Sequence, residues 1–151
     1  MRIRRATTAD IPAIVTLATE TWPGTYHFAG PDFIAHGLAT WWSPDAVARS
    51  LDTTTVLVAT TPAVTAIGNI DLRGDTAIIW KLYVLPSAQG TGIGGTLLDA
   101  LITTAGDRPV ELGYVDGNDR AARFYATHGF SNLRREPGYE PGFPDTVWLR
   151  R

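Results

Sequence analysis

Four glycines packed into Gly90-Thr91-Gly92-Ile93-Gly94-Gly95, directly after Gln89, are the residues of this chain best suited to holding an anion. Leu82-Tyr83-Val84-Leu85-Pro86 ahead of them reads as an apolar strand ended by a proline turn. Behind them, Ile93, Leu97, Leu98, Leu101 and Ile102 recur at the spacing of one buried helical face. A helix start leaves backbone N–H groups without intrahelical partners and carries the positive end of the helix dipole. Glycines there let phosphate oxygens approach the backbone with no Cβ in the way. The segment predicts a pyrophosphate cradle.

Three readings of that cradle compete. Gly90-x-Gly92-x-x-Gly95 satisfies the dinucleotide pattern, and Glu111 and Asp116 follow at about the distance of its ribose-binding acid. However, Pro86-Ser87-Ala88-Gln89 separates the strand from the first glycine. The motif also lies past the chain midpoint, which leaves no room for a second mononucleotide half. A phosphate loop of the Gly-Lys-Ser/Thr kind is excluded, because no such residues follow. The plain alternative is a glycine-rich helix start that turns tightly and binds nothing.

Composition narrows the classes further. The 151 residues fit a single domain spanning 1–151. A net charge of −2 offers no footprint for nucleic acid. The absence of cysteine removes disulfides, thiolate metal sites and a cysteine nucleophile together. His27 and His36 lack carboxylate partners at ligand spacing, so no metal is expected. No segment has the length and apolarity of a membrane span, and the basic start Met1–Arg5 lacks the apolar run of a signal peptide. A cytoplasmic protein is the expectation.

The elements that must position the cradle alternate along the chain. A short strand over Ile3–Ala6 precedes a helix capped at Asp10, with Ile11, Ile14, Val15 and Ala18 on one face. Thr21–Leu51 reads as irregular and aromatic, with one short helix near Pro31 and another capped by Ser43 ahead of Pro44. Thr54–Thr60, Val64–Leu72 and Thr76–Val84 are β-branched runs joined by turns, the pattern of an antiparallel meander. Val110–Val115 follows the glycine helix and should lie parallel to Thr76–Val84. Asn118 caps a helix that Gly129 stops, and Phe130–Arg134 and Thr146–Leu149 form two last strands. The expected class is α/β (α+β): a mixed, mostly antiparallel sheet of about seven strands with four or so helices.

A second motif breaks the tie among the readings of the glycine loop. Asn118-Asp-Arg-Ala-Ala-Arg-Phe124-Tyr125-Ala-Thr-His-Gly129-Phe130 follows the first motif in the chain. Together with Gln89-x-x-Gly92-x-Gly94, it resembles the two conserved stretches of the GNAT superfamily of N-acetyltransferases. The order of elements over the whole chain suits that family as well. The resemblance implies that backbone amides of Gln89, Gly90, Thr91, Gly92, Ile93, Gly94 and Gly95 hold the pyrophosphate of acetyl-coenzyme A. It implies that Leu82, Tyr83 and Val84 bind the pantetheine arm through their backbone. Gly113 on the facing strand fits a close approach by a ligand and fits an ordinary strand glycine equally well. It implies that Asn118 touches the cofactor besides capping its helix. It implies that Tyr125 is catalytic, as proton donor to the departing thiolate. Arg123 is placed equally well on cofactor phosphate or in solvent.

The implied reaction needs a neutral amine, and an alkyl amine is roughly one part in two thousand neutral at pH 7. The strand positions where some relatives carry a glutamate are Ile78 and Trp80 here. Glu111, Asp71, Glu20 and a water chain remain as candidate bases. The acceptor side is expected in Trp22–Phe28, Trp41-Trp42 and Pro137–Phe143, with Asp32, Glu136, Glu140 and Asp145 as acids for an amine. The ordinary role for Trp41 and Trp42 is core closure. The resemblance implies transfer of acetyl to a primary amine of a small molecule or peptide by direct attack in a ternary complex. Acetylation of a protein N-terminus or lysine, and a non-catalytic acetyl-coenzyme A sensor, are the alternatives. The partners are then the amine acceptor, with no nucleic acid and no membrane, and room is left for a homodimer.

Overall fold

Seven β-rich runs join one sheet in the computed structural model, which describes residues 1–151. The strands are β1 (Arg2–Arg5), β2 (Thr55–Thr60), β3 (Val64–Asp71), β4 (Ala77–Val84), β5 (Val110–Val115), β6 (Ser131–Glu136) and β7 (Thr146–Arg150). Their order is β1-β2-β3-β4-β5-β7-β6, so the last strand inserts between β5 and β6. Every pairing is antiparallel except β4 with β5. The helices are α1 (Ile11–Thr25), α2 (Pro31–Trp41), α3 (Pro44–Thr53), α4 (Ile93–Ala105) and α5 (Asp119–Thr127). The helix count is thus five, and the strand plan matches the sequence reading.

Two apolar layers fix the sheet between helices. Ile14, Leu17, Trp22, Phe33 and Val47 of α1–α3 bury against Val56, Val58 and Ile67 on one face. Leu98, Leu101 and Ala105 of α4, with Tyr125 of α5, bury against Ile70, Ile79, Leu112 and Leu149 on the other. A side-chain period of two delivers both faces from the same strands.

Two local expectations are corrected. The region after Thr21 is not irregular: α1 continues through Pro23 and Gly24 to Thr25. Proline and glycine in a helix interior cost stability, but Trp22 stacks on Phe33 and Tyr26 meets the same ring edge-on, which holds the last turn in place. Nor does Asp10 cap α1 with its side chain. Its carboxylate turns back to Arg4 in a bidentate pair of 2.8 Å contacts and accepts from Thr7 N at 2.8 Å.

The Arg4 guanidinium, donating to that carboxylate, pulls Asp10 down to about 2 from an ordinary 3.8. A depressed carboxylate stabilises the fold above its unfolded pKa, and the contribution disappears as pH falls through the folded one. Asp10→Asn is therefore expected to cost about 1–2 kcal/mol at pH 7. In urea unfolding, the gap between variant and wild type should close between pH 4 and pH 2. A gap that persists at pH 2 would remove the ion pair as its cause.

Gly37 in α2 marks where the two aromatic helices touch. A Cβ there would overlap the six-membered ring of Trp22, which is itself buried. Alanine would gain about 1 kcal/mol in helix propensity and lose about 1–3 kcal/mol to overpacking against a rigid ring. Gly37→Ala is expected to lower the urea midpoint, and an unchanged or higher midpoint would show that the indole yields.

One irregularity reshapes the centre of the sheet. Lys81 pairs with Asn69 and Ile79 with Ile70, which leaves Trp80 as an extra residue in β4. A bulge flips every later side chain to the opposite face. Ala77 and Ile79 pack under α4, whereas Lys81 and Tyr83 emerge on the α1–α3 face.

Candidate active site

β4 and β5 separate after Ile79 and Leu112, midway along β4 and well ahead of the glycine loop. They pair only through Ala77–Ile79 with Val110–Leu112, and beyond that point β5 pairs with β7 alone. Leu85 N donates to Thr65 O, so the backbone groups of residues 81, 83 and 85 face β3. Those of Leu82 and Val84 face the gap. The carbonyl of Val84 accepts from Gln89 Nε2 at 3.0 Å, which leaves the Leu82 amide groups and the Val84 N–H open. Tyr83, expected to offer its backbone, instead turns its amide to β3 and its side chain to the other face.

The gap leads to the N-terminus of α4. Its first helical bond runs from Thr96 N to Gly92 O, so the N–H groups of Ile93, Gly94 and Gly95 have no intrahelical partner. Gly92, with φ +85°, and Gly90, with φ +80°, both lie in the left-handed region, and a Cβ on either would meet open space. The cradle is therefore a bare backbone surface with donors aimed outward. Thr91 turns its hydroxyl back onto Ala88 O, and the Ile93 side chain buries beside Leu97. Both residues present only their backbone.

Side chains close the cleft, which holds about 660 Å³. Asn118 caps α5 by accepting from Ala121 N at 3.2 Å and lines the cleft as well. Arg120, the second residue of α5, lines the cleft and donates to Gln89 Oε1. Arg123, weighed as a phosphate contact from the sequence, is not among the lining residues. Tyr125 lines the deep end, its ring wedged edge-on between Phe124 and Phe130. Burial raises its phenol pKa, with a smaller contribution from Tyr26, so it keeps its proton at any working pH.

A second cavity of about 450 Å³ shares Tyr26, Ile79, Trp80, Lys81, Tyr83, Gly113 and Tyr114 with the first. Its walls are aromatic: Trp41, Trp42, Trp80, Tyr139 and Trp148. The adjacent tryptophans divide their work, for Trp42 is buried in the core while Trp41 stacks with Tyr139 at the cavity wall. Of the four acids expected here, only Glu136 lines the cavity, and it accepts from Trp148 Nε1 at 3.1 Å. Gly113 is required by β7, since a Cβ would meet Thr146 Cγ2 at 2.6 Å. That contact is a packing reason, independent of any ligand.

The carboxylates proposed as bases lie elsewhere. Asp71 is chelated by Arg73, at 2.9 and 2.7 Å, and accepts from Trp80 Nε1, which together hold its carboxyl well below the usual range. Glu111 pairs with Arg134 and Arg150. Glu20 is exposed on α1. None of the three lines either cavity. What the structure places there instead is a phenol pair, Tyr26 and Tyr83, joined oxygen to oxygen at 2.7 Å, and the chain's only lysine. The Trp80 bulge brings Lys81 and Tyr83 to that face, and a bulge leaves no mark in a run such as Ile-Ile-Trp-Lys-Leu-Tyr-Val.

A splayed parallel strand pair opening onto a glycine-started helix is the geometry that the two motifs implied. The family described as Acetyltransferase (GNAT) domain matches this chain over residues 52–132, from the end of α3 into β6. The chain belongs to the GNAT acetyltransferase family. An uncharacterized N-acetyltransferase of Mycobacterium tuberculosis is 42% identical over 64 residues, which cover 39% of this chain and 41% of the relative. The match thus spans less than half of that curated relative. Solved GNAT structures cover nearly the whole chain. The PaiA N-acetyltransferase of Thermoplasma acidophilum, in complex with coenzyme A, aligns with a TM-score of 0.81 at 18% identity over 97% of this chain and 96% of its own. A GCN5-related N-acetyltransferase of Rhodopseudomonas palustris reaches a TM-score of 0.85 at 20% identity, covering 99% and 94%. At these identities the likeness speaks for the fold. No helix of this GNAT chain is long and apolar enough to cross a membrane.

Proposed function

We propose that the chain is one acetyltransferase domain that transfers acetyl from acetyl-coenzyme A to a primary amine by direct attack in a ternary complex. The observation that carries this reading is the continuity of the β4–β5 gap with the bare N-terminus of α4. Phosphates placed at α4 would be held by the N–H groups of Ile93–Gly95 and the glycine loop, each charge-assisted bond worth about 1.5–3 kcal/mol. Arg120 adds a cation at the mouth of the cleft. The arm would then run along Leu82 and Val84 as an added strand, which brings the thioester to the wall shared by the two cavities.

Tyr125 is the donor to sulfur in this reading. The amine nitrogen bonds to the thioester carbon, the C–S bond breaks, and the electron pair leaves on sulfur, where the Tyr125 hydroxyl meets it. A phenol kept neutral by burial is a donor at every working pH. The aromatic cavity supports a small amine with an apolar body over an extended protein segment, because Trp41, Trp80, Tyr139 and Trp148 line a half-open cleft whose volume is close to that of one compact ligand. A screen of thiol release from acetyl-coenzyme A across aryl-alkyl amines, polyamines, amino acids and peptides tests this. Turnover is expected among the aromatic amines, and turnover confined to peptides would shift the reading to a protein acceptor.

A further inference from the structure

We propose that Lys81 is the general base of the reaction, taking a proton from the acceptor nitrogen on its Nζ lone pair. The inference rests on the acetyltransferase reading above and goes beyond it to a residue that neither motif contains.

Position makes the first argument. Lys81 directly precedes Leu82, whose backbone faces the gap, and it lies on the wall common to both cavities. The Trp80 bulge turns its side chain toward the acceptor cavity and away from the α4 core. An amine entering from the aromatic side to meet a thioester beside Leu82 would pass Nζ.

Environment makes the second. Nζ donates to the carbonyl of Trp41 at 2.6 Å and stands 4.1 Å from the ring centre of Trp42. These are neutral partners, and no carboxylate forms an ion pair with it. A lysine desolvated without a counter-charge is the arrangement that yields a basic lone pair near neutrality. Burial indeed pushes it down to about 8 from an ordinary 10.5. The other titratable and charged groups lining the two cavities are Tyr26, Tyr83, Tyr114, Tyr125 and Tyr139, Arg49, Arg73 and Arg120, and Glu136. Arginines stay charged, and the raised phenols of Tyr26, Tyr83 and Tyr125 stay neutral. Arg73 is tied to Asp71 and Arg120 to Gln89. Glu136, the one acid, is held by the Trp148 indole.

The step balances in protons. A neutral amine adds to the carbonyl carbon, and the nitrogen becomes cationic. Lys81 takes one proton from it and becomes an ammonium. The C–S pair leaves on sulfur, which acquires a proton from the Tyr125 side. Solvent then deprotonates Lys81 and restores the phenol, so amine and thioester give amide and thiol.

Because Lys81 is the only lysine, protein labelled with carbon-13 at lysine Cε gives a single side-chain resonance whose titration reads this group directly. A midpoint near pH 8 is expected, and one at 10 or above overturns the proposal whatever the activity. The second arm compares pH–rate profiles of wild type, Lys81→Met and Lys81→Arg with an acceptor from the thiol-release screen. Wild-type kcat/KM should show a limb with its midpoint near pH 8 on top of the rise that the acceptor's own ammonium contributes, and both variants should lose that limb, keep the acceptor's rise and lose at least about tenfold in kcat. Their acetyl-coenzyme A affinity should stay within twofold. A Lys81→Arg variant that retains the wild-type rate and limb overturns the base role and makes Lys81 an anchor for an anionic group of the acceptor. Wild type that consumes no acetyl-coenzyme A with any amine overturns the acetyltransferase reading itself, and the base role with it.

Discussion

Gly92→Glu is expected to weaken acetyl-coenzyme A binding by more than about a hundredfold. Gly92 is the N-cap of α4 at φ +85°, a conformation that costs an L side chain about 1–2 kcal/mol. The glutamate would also set a carboxylate against the N–H groups that would hold the pyrophosphate. Loss of two charge-assisted bonds at about 1.5–3 kcal/mol each corresponds to a hundredfold or more in Kd. Because a Cβ at this position meets nothing, the fold should survive with the strain alone. Gly92→Ala separates the two effects: it carries the strain without the charge and should bind far better than the glutamate. Calorimetric titration of both variants reads the difference, and a glutamate variant within fivefold of wild type would remove the cradle from the account.

Tyr125→Phe is expected to lower kcat by about tenfold or more while leaving acetyl-coenzyme A affinity within twofold. The ring would keep its edge-on packing against Phe124 and Phe130, at centroid distances of 5.3 and 5.8 Å. Only the hydroxyl is lost, and with it the donor proposed for the departing sulfur. Since burial raises this phenol, deprotonation of Tyr125 should contribute no alkaline loss of rate below pH 10. A variant with the wild-type rate would strike Tyr125 from the mechanism, and a fall in affinity equal to the fall in rate would make it a binding residue.

The geometry of the glycine loop was legible because it is local. Positive-φ glycines, a strand before and a Leu-rich helix behind all lie within one short stretch, and Asn118 declares its cap by its own side chain. The sheet was legible for a similar reason, since β-branched runs and turn residues set the strands one by one. What sequence could not reveal depends on distant partners. α1 runs through Pro23 and Gly24 because aromatic packing from α2 outweighs their propensity, and nothing near Pro23 announces that. Asp10 looks like a cap, but Arg4, across the chain entrance to α1, captures its carboxylate. Asp71 and Glu111 looked like bases until Arg73, Arg134 and Arg150 were seen to hold them. The bulge at Trp80 moved Lys81 from the α4 side to the aromatic cavity, where no acid pairs with its charge. Arg120 and Arg123 are indistinguishable by type, and only the phase of α5 sets one against Gln89 and the other away from the cleft.

Amide-resolved NMR titration with acetyl-coenzyme A tests the central claim most directly, because the account names which backbone groups the ligand meets. The largest shifts are expected at Leu82, Val84, Gly90, Gly92, Ile93, Gly94 and Gly95, with Asn118 and Arg120 beside them and the edge strand Ser131–Glu136 unmoved. Saturation with those amides unchanged, or with the shifts gathered on another face of the sheet, would contradict it.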